Sequence, residues 1–328
     1  MSLISERTRF RILNSWFLIV HLGCLLPIWT GVSWFAVGVC CFLYFIRMFG
    51  LTAGYHRYFS HRSYKTGRVF QFLMALLGAS AGQNGPLWWA AKHRHHHRYS
   101  DTEEDVHSPV TGGFWWSHMG WILSKKYVDY DDNSVRDLAK YPELRMLDWG
   151  HAVVLTMLGV GLFGLGELLA VQAPGLGTDG PQLLAWGFFI STTLLYHGVF
   201  TVNSLAHVWG SRRFNTTDQS RNNLFIALIT LGEGWHNNHH RYMTSERQGF
   251  YWWEIDISHY ILTMFSWVGL VHDLRKPPQK IYDEARQNKH GIHLPEIPSL
   301  PEIQEGISEG IEELAAAIKP RKPASERT

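Results

Sequence analysis

Four long apolar runs set the pattern of the chain. They lie at about residues 12–29, 32–50, 150–172 and 183–206, and a short turn at Thr30 and Gly31 separates the first two. A membrane-spanning helix needs roughly 20 predominantly apolar residues. The pattern therefore predicts an all-α, multi-pass integral membrane protein with four transmembrane helices.

Polar, histidine-rich stretches occupy residues 51–148 and 207–285, between the second and third runs and after the fourth. The shorter apolar run at 69–81 cannot span a bilayer, so we expect it to be interfacial or buried. The two polar stretches are predicted to form a helical cap on one side of the membrane.

Basic residues precede the first apolar run. The positive-inside rule therefore predicts a cytoplasmic N terminus. An even number of predicted spans separates the histidine-rich stretches, so we expect them to meet on the cytoplasmic face together with both termini. The basic residues in question are Arg7, Arg9 and Arg11.

The composition changes towards the C terminus. We expect residues 1–285 to form the membrane domain and residues 286–328 to form a Pro-rich linker and a short amphipathic tail. In the tail, Ile303, Ile307 and Ile311 recur at helical spacing. Such a helix packs on the body of the protein or binds a partner.

Charge and cysteine content exclude two classes of protein. The formal net charge is only +2, which gives no field suited to nucleic acid. The three cysteines lie in apolar stretches without metal-type spacing, and their odd number argues against a disulfide framework. Histidine is the unusual residue, because the chain has 19.

The histidines form repeated clusters with helical spacing. Two clusters have the spacing i, i+3, i+4, which puts all three rings on one helical face. A looser pair is five residues apart, and one further histidine follows the fourth apolar run. His95 points to another side of its helix and is not expected to bind metal. The nine candidate ligands are His56, His61, His93, His96, His97, His207, His236, His239 and His240.

Nine imidazoles exceed the coordination capacity of a single ion, so two metals with four or five histidines each are predicted. Such all-nitrogen sites suit Fe, Cu, Zn or Ni. A redox pair at the mouth of a helix bundle indicates oxygen chemistry on an apolar substrate. The rival interpretation, a metal sensor or transporter, needs ionisable residues within the spans. The clear ones are too few for a pathway: His21, His151, Glu167 and His197.

These clusters and their flanking residues resemble the membrane-bound fatty acyl desaturases, close to the stearoyl-CoA (acyl-CoA delta-9) group. The resemblance covers residues from about 10 to 275. The glycine before the third cluster and the Asn-x-x-x-His element distinguish these enzymes from membrane hydroxylases. The matching stretches are 52–64, 93–101, 113–121, 203–207 and 232–240.

The resemblance implies two Fe ions held by the nine histidines, with Asn203 reaching one of them through a water. It also implies that O2 and two electrons are consumed while a cis double bond is inserted near carbon nine of a saturated acyl chain. No haem or flavin domain is visible in the sequence, so the electrons are expected from a separate ferredoxin or b-type cytochrome. A di-iron hydroxylase or oxygenase of a lipid is the alternative.

Several substrate contacts follow from the resemblance alone. Gln83 and Trp89 match residues at the kink of the acyl tunnel, while Val199 stands where the animal enzymes have Thr. Asn84, Lys125 and Lys126 match residues that hold CoA. The lysines also fit a snorkelling pair at the membrane interface.

One departure from the family pattern and two tunnel residues bear on substrate choice. An Arg-Asp pair that contacts CoA in the animal enzymes is Ala91-Lys92 here, which weakens the expectation of acyl-CoA and keeps acyl-ACP or lipid-linked chains open. Tyr44 and Met48 match positions that close the tunnel. Because Met48 is larger than its counterpart in stearoyl enzymes, we expect a preference near palmitoyl length, although core packing also explains both residues.

Metal-bound histidines usually donate their other ring N–H to a carboxylate or carbonyl. Four acids are candidates for this role: Asp101, Glu104, Asp105 and Glu233. We expect at least two of them to be ordinary surface acids.

Overall fold

The computed structural model describes residues 6–287, with side chains from residue 15 onwards. The predicted amphipathic tail, nearly all of the linker and the side chains of the N-terminal arginines lie outside the described residues. The described chain is mostly helical, as predicted. In chain order, α1 to α15 are Glu6–Gly23, Pro27–Thr30, Trp34–Phe49, Arg68–Ala79, Pro86–Tyr99, Pro109–Gly112, Arg136–Ala139, Pro142–Gln172, Gly180–Leu183, Ser191–Asn203, Leu205–Val208, Leu224–Ile229, His236–Arg241, Ile257–Trp267 and Gln279–Gln287.

Shorter elements complete the described chain. Strands β1 (Lys65–Thr66) and β2 (Val271–His272) pair antiparallel. Three segments are π-helices with i to i+5 hydrogen bonds, namely Gly50–Ser60, Trp116–Gly120 and Leu184–Ile190. Three are 3₁₀ turns, namely Lys125–Tyr127, Asp132–Val135 and Pro174–Leu176.

Three continuous helical stretches are long and apolar enough to cross a membrane: Trp34–Ser60, Pro142–Gln172 and Gly180–Val208. They contain the second, third and fourth predicted spans. The first predicted span falls on a shorter apolar stretch, Ser15–Thr30. Large apolar side chains on these helices face outwards; Trp34 is 91% exposed and Val171 76% exposed. Outward-facing apolar surface of this kind suits contact with lipid.

The π-helical segment Gly50–Ser60 continues α3 directly and brings it into the cap. It packs closely on α4, because Gly54 allows the backbone of Met74 to approach and Gly78 leaves room for the ring of Tyr55. The α4 helix has 12 residues, which agrees with the prediction that this apolar run is too short to span.

Helix α5, which carries the second histidine cluster, is oriented by α8. The buried carboxylate of Asp148 accepts hydrogen bonds from the backbone N–H groups of Leu87 and Trp88, both at 2.9 Å. Its other oxygen accepts one from the hydroxyl of Tyr130 at 2.7 Å. A carboxylate at a helix N terminus satisfies free N–H groups and complements the helix dipole. One long apolar helix therefore fixes the direction of the histidine-bearing helix.

Candidate metal centre

The first histidine pair owes its geometry to the π-helix. In an α-helix, residues five apart are separated by about 140° around the axis. Here the N–H of His61 donates to the carbonyl of His56 at 3.2 Å, an i to i+5 bond. The two ring centroids are consequently 4.8 Å apart. The five-residue spacing in the sequence thus fits one turn of a π-helix.

The other two clusters lie on short helical faces. His93, His96 and His97 occupy the last turns of α5, and His236, His239 and His240 are three of the six residues of α13. Before α13 the chain turns sharply. Gly232 has φ +125°, and a Cβ on Gly234 would overlap the backbone of Ala227. The glycines before the third cluster are therefore required by close backbone packing.

The structure brings all nine histidines together as two groups. Within each group, one ring nitrogen from every member lies within 4.8 Å of the others. The five-histidine cluster comprises His56, His61, His93, His97 and His239. The four-histidine cluster comprises His96, His207, His236 and His240. Helices α5 and α13 each contribute to both clusters, so the two sites are neighbours.

The spacing of the nitrogens fits metal ligation. In the five-histidine cluster, the Nε2 atoms of His61 and His93 are 2.8 Å apart, and those of His56 and His239 are 2.9 Å apart. In the other cluster, Nε2 of His207 and of His236 are 3.0 Å apart. Two imidazoles bound at right angles to one ion at about 2.1 Å would have nitrogens about 3 Å apart.

Buried ring nitrogens without a hydrogen-bond partner also fit metal binding. Nε2 of His96 and Nε2 of His240 are buried and have no hydrogen-bond partner within the described chain. In both rings Nδ1 donates to a carboxylate, so Nε2 carries the lone pair. Such nitrogens suit a transition metal, and an all-imidazole set accommodates iron.

Carboxylates hold four of the nine rings. Nδ1 of His96 donates to Asp105 at 2.9 Å, Nδ1 of His207 donates to Asp101 at 2.9 Å, and Nδ1 of His240 donates to Asp218 at 2.8 Å. Nδ1 of His56 contacts Glu233. Each bond fixes a tautomer and a ring orientation.

The sequence-based expectation for these acids was partly wrong. Three of the four candidates contact histidines, and only Glu104 is exposed, with its backbone carbonyl accepting a bond from Nε2 of His95 at 2.8 Å. Whether an acid contacts a clustered histidine depends on packing in three dimensions, which the order of polar residues along the chain does not show. Asp218 was missed, since a single acid in a loop between two helices gives no pattern.

Burial favours the neutral form of most of the nine imidazole rings. It holds the pKa of His61, His93, His97, His236 and His239 well below the usual range, with further lowering by neighbouring imidazoles. It lowers the pKa of His240 to about 4 despite Asp218. Neutral imidazoles have the lone pair that metal binding requires.

His96 departs from this trend. Burial by itself lowers its pKa, but Asp105 first and then Asp101 and Asp218 outweigh burial, so the pKa of His96 is raised. Asp105 is correspondingly stabilised as the carboxylate, and its pKa lies well below its usual range.

A buried ion cluster supports the first histidine from behind. Arg57 lies between Glu233 at 3.2 Å and Asp256 at 2.9 Å, and all three side chains are almost fully buried. The pKa of Glu233 is lowered because His56 and Arg57 outweigh the effect of burial. The carboxylate at His56 is thus kept ionised and in place.

Among the remaining histidines, His107 was not expected at the site. Its ring centroid lies 4.2 Å from that of His96, and its Nδ1 is buried without a partner in the described chain. Nε2 of His21 is 3.1 Å from Nε2 of His197, and Nδ1 of His197 is 3.0 Å from Nε2 of His118. These contacts join α1 and α10 to the π-helical segment Trp116–Gly120.

Two apolar cavities reach the clusters and share a wall made of Trp89, His93, His107, Val199 and Asn203. The first cavity extends past Gln83, Asn84 and Lys92. The indole N–H of Trp89 donates to the side-chain carbonyl of Gln83 at 3.3 Å. The second cavity runs from His56 to Met48.

The predicted tunnel end is built from three helices. The side chain of Met48 is fully buried and lines the second cavity. Tyr44, one turn earlier on α3, donates its hydroxyl to the carbonyl of Ile229 at 2.8 Å. Both side chains face Gly198 on α10.

The two lysines expected near the substrate head group are exposed on the cap. Lys126 and Lys92 line one polar surface pocket, and Lys92 also lines the first cavity. Lys92 therefore stands where the apolar cavity meets the polar surface.

Comparisons with known proteins match this architecture. The family model for fatty acid desaturases matches residues 32–269. An acyl-CoA C20 delta5-desaturase of Anemone leveillei is 38% identical over 79% of this chain and 80% of its own length. A delta-9 acyl-lipid desaturase of Arabidopsis thaliana is 36% identical over 80% of this chain and 81% of its own. An sn-1 stearoyl-lipid 9-desaturase of Anabaena variabilis is 35% identical over 80% and 93%.

Proposed function

Because the chain belongs to the fatty acid desaturase family, and so is an O2-dependent oxidoreductase that acts on fatty acyl chains, we propose that it inserts a cis double bond at the delta-9 position of a saturated chain. The observation that carries this proposal is the pair of histidine clusters opening onto an apolar cavity.

The proposed cofactor is a pair of iron ions, one in each histidine cluster, with the side chain of Asn203 holding a water beside them. Iron supplies the one-electron chemistry and the O2 activation that protein side chains lack. Asn203 is the last residue of α10, its side chain lines both cavities, and its backbone carbonyl accepts a bond from the hydroxyl of Ser117 at 2.9 Å. These contacts support a fixed position for Asn203.

The overall reaction must balance four electrons. One saturated acyl chain gives up two hydrogen atoms, a donor gives two electrons, and solvent gives two protons, which together convert one O2 into two waters. The protein contributes by holding one carbon pair against the centre and by excluding bulk water from it. Trp89 and Val199 form the common wall of the two cavities and suit this positioning role.

The bond position and the preferred chain length would be set by distances along the cavity. The delta-9 position is proposed from the resemblance. Two of the relatives described above are 9-desaturases, which supports it, while the third is a delta5-desaturase. A chain entering beside Lys92 and ending at Met48 would present one carbon pair to the histidine clusters. The bulk of Met48 supports a palmitoyl-length substrate.

For the acyl carrier we favour CoA. Lys92 and Asn84 line the first cavity, and Lys92 and Lys126 line a neighbouring surface pocket, so positive charge adjoins the cavity in a way that suits a phosphate-bearing carrier. A lipid-linked chain is the second candidate, because Ala91-Lys92 replaces the expected Arg-Asp pair and because relatives include acyl-lipid desaturases.

For the membrane arrangement we propose four spans, with the apolar stretch Ser15–Thr30 pairing with Trp34–Ser60 as the first two. Residues 1–285 would form one membrane domain with the cap and the metal centre on the cytoplasmic side. A separate ferredoxin or b-type cytochrome would supply the electrons.

The deciding experiment is expression in a desaturase-deficient host followed by mass-spectrometric location of the new double bond. His96→Ala should abolish the product, since Nε2 of His96 faces the four-histidine cluster. His95→Ala is the matched control, because the neighbouring ring is exposed and outside both clusters. An alcohol in place of an alkene would favour the hydroxylase alternative. Retained activity in His96→Ala would refute the metal assignment.

A further inference from the structure

One surface loop covers the four-histidine cluster. The backbone of Ser211 and Asn222 pairs across the base of this loop, with the N–H of Ser211 donating to the carbonyl of Asn222 at 2.9 Å. Between them, Asp218 turns inwards and accepts the Nδ1–H of His240 at 2.8 Å. We call residues 211–222 the cover loop.

A second link joins the cover loop to the same cluster. The backbone N–H of Gln219 donates to Asp101 at 2.7 Å, and the same carboxylate oxygen accepts the Nδ1–H of His207 at 2.9 Å. One carboxylate therefore connects each of two rings, His240 and His207, to the backbone of the exposed cover loop. This is a short bonded route between the protein surface and the centre.

The cover loop also carries unneutralised positive charge. Within the described chain, neither Arg212 nor Arg221 forms an ion pair, and Nε of each is buried without an acceptor. Burial lowers the pKa of Arg221, and the positive charge of Arg212 lowers it further. The loop's own acid, Asp218, is turned towards His240.

We propose that the cover loop is the docking surface for a small acidic one-electron carrier protein. The inference rests on the proposed function, because desaturation needs two electrons from outside the chain. Carboxylates of the carrier would lie close to the two half-buried guanidinium groups and neutralise their charge. Each encounter oxidises one carrier by one electron, and two encounters supply one double bond.

Arg212 is already held in a fixed position for such contacts. Its guanidinium donates to the carbonyl of Asp218 at 2.7 Å and to the side chain of Gln219 at 3.1 Å. The exposed residues of the cover loop are polar: Asn215, Thr217 and Gln219. A polar, preorganised, cationic surface favours a protein partner over insertion among lipid head groups.

The test compares Arg221→Glu, which reverses the charge, with Arg221→Lys, which keeps it. Arg275→Glu is the matched control, since Arg275 is exposed and lies outside the cover loop, and the substitution reverses the charge in the same way. The probes are a plant-type ferredoxin and the soluble haem domain of cytochrome b5, both acidic. Two quantities are measured: probe affinity for the detergent-solubilised chain at low and high salt, and the KM for the probe in desaturation.

For at least one probe, Arg221→Glu should weaken affinity and raise the KM by about tenfold, with a smaller salt dependence, because rim charges act mainly on association. Arg221→Lys and Arg275→Glu should resemble the parent protein. Iron content and single turnover driven by dithionite report separately on folding and on the proposed function. Unchanged affinity for both probes would overturn the proposal, as would a loss confined to binding of phosphatidylserine-containing vesicles.

Discussion

Asp218 determines which nitrogen of His240 faces the metal site. Its carboxylate accepts a hydrogen bond from Nδ1–H at 2.8 Å, so Nε2 keeps the lone pair that can bind a metal. We predict that Asp218→Ala lowers iron affinity by about 10- to 100-fold, the usual effect of losing such a partner. The measurement is iron retained against a graded chelator series. Asp132→Ala, which removes an exposed acid paired with Arg145, is the control. Equal iron retention in both variants would contradict the role given to Asp218.

Met48 lines the second cavity, and under the proposed function it would limit how far an acyl chain can extend. Its buried side chain lines the cavity, and truncation would leave an apolar void that additional methylenes can fill. We predict that Met48→Ala shifts the product profile towards longer chains, as measured by gas chromatography of total fatty acids. Met157→Ala, on the exposed face of α8, should not shift it. An unchanged profile in Met48→Ala would reject the assignment.

Individual ligand candidates could be predicted because the chemistry requires several histidines on one helical face, and such spacing is visible in a sequence. Three of the four carboxylates that contact those histidines were among the candidates, but the sequence could not show which candidates reach a ring. Asp218 and His107 reach the site from loops, and Glu104 is exposed while the adjacent Asp105 is buried against His96. Loop geometry depends on tertiary packing, so a single acid or histidine within a loop gives no periodic signal.

At the level of elements, the approach of α10 to α3 depends on Gly198. A Cβ at this position would lie 2.6 Å from the hydroxyl of Tyr44 and 3.1 Å from the terminal methyl of Met48. Because that hydroxyl is bonded to the carbonyl of Ile229, it cannot move without losing the bond. We predict that Gly198→Ala pushes Met48 into the cavity and shifts products towards shorter chains, opposite to Met48→Ala.

The control for this change is Gly161→Ala on α8, where a Cβ would meet no atom within 4 Å. It should leave the product profile unaltered, and it also accounts for the general effect of replacing glycine in an apolar helix. Longer products from Gly198→Ala would mean that Tyr44 and Met48 do not close the cavity.

The existence of the long helices was predictable, but helix type was not. Apolar length alone indicates the stretches Trp34–Ser60, Pro142–Gln172 and Gly180–Val208. The sequence does not show that Gly50–Ser60 is π-helical, because that geometry depends on the close packing of α4 and on the positions of His56 and His61. Likewise, only packing shows that a carboxylate of α8 orients α5.

On the scale of the whole molecule, the centre joins parts of the chain that are far apart in sequence. The π-helical segment, α5, α11 and α13 each supply histidines, and the cover loop encloses one cluster from outside. Metal binding would therefore connect membrane helices with cap elements. Loss of metal should reduce the stability of the entire assembly, and the size of that loss should depend on pH.

The sign of the pH dependence follows from the imidazoles. Six rings have a folded-state pKa below the ordinary value for histidine, so the unfolded chain binds more protons than the folded chain as pH falls below about 6.5. Their contribution to stability is present above that pH and is lost progressively below it. His96 has a raised pKa and acts in the opposite direction, but it is one ring against six.

We therefore predict that metal-free protein, prepared with a chelator in detergent, unfolds at a lower temperature than the metal-loaded protein at pH 7.5. The midpoint of the metal-free protein should fall further at pH 5.5, because protonating the buried rings favours the unfolded chain. Thermal scans at one fixed heating rate measure both effects. A metal-free midpoint that is unchanged between these pH values would show that these six rings are not held buried and neutral, since such rings must lower the stability of the fold when their nitrogens take up protons.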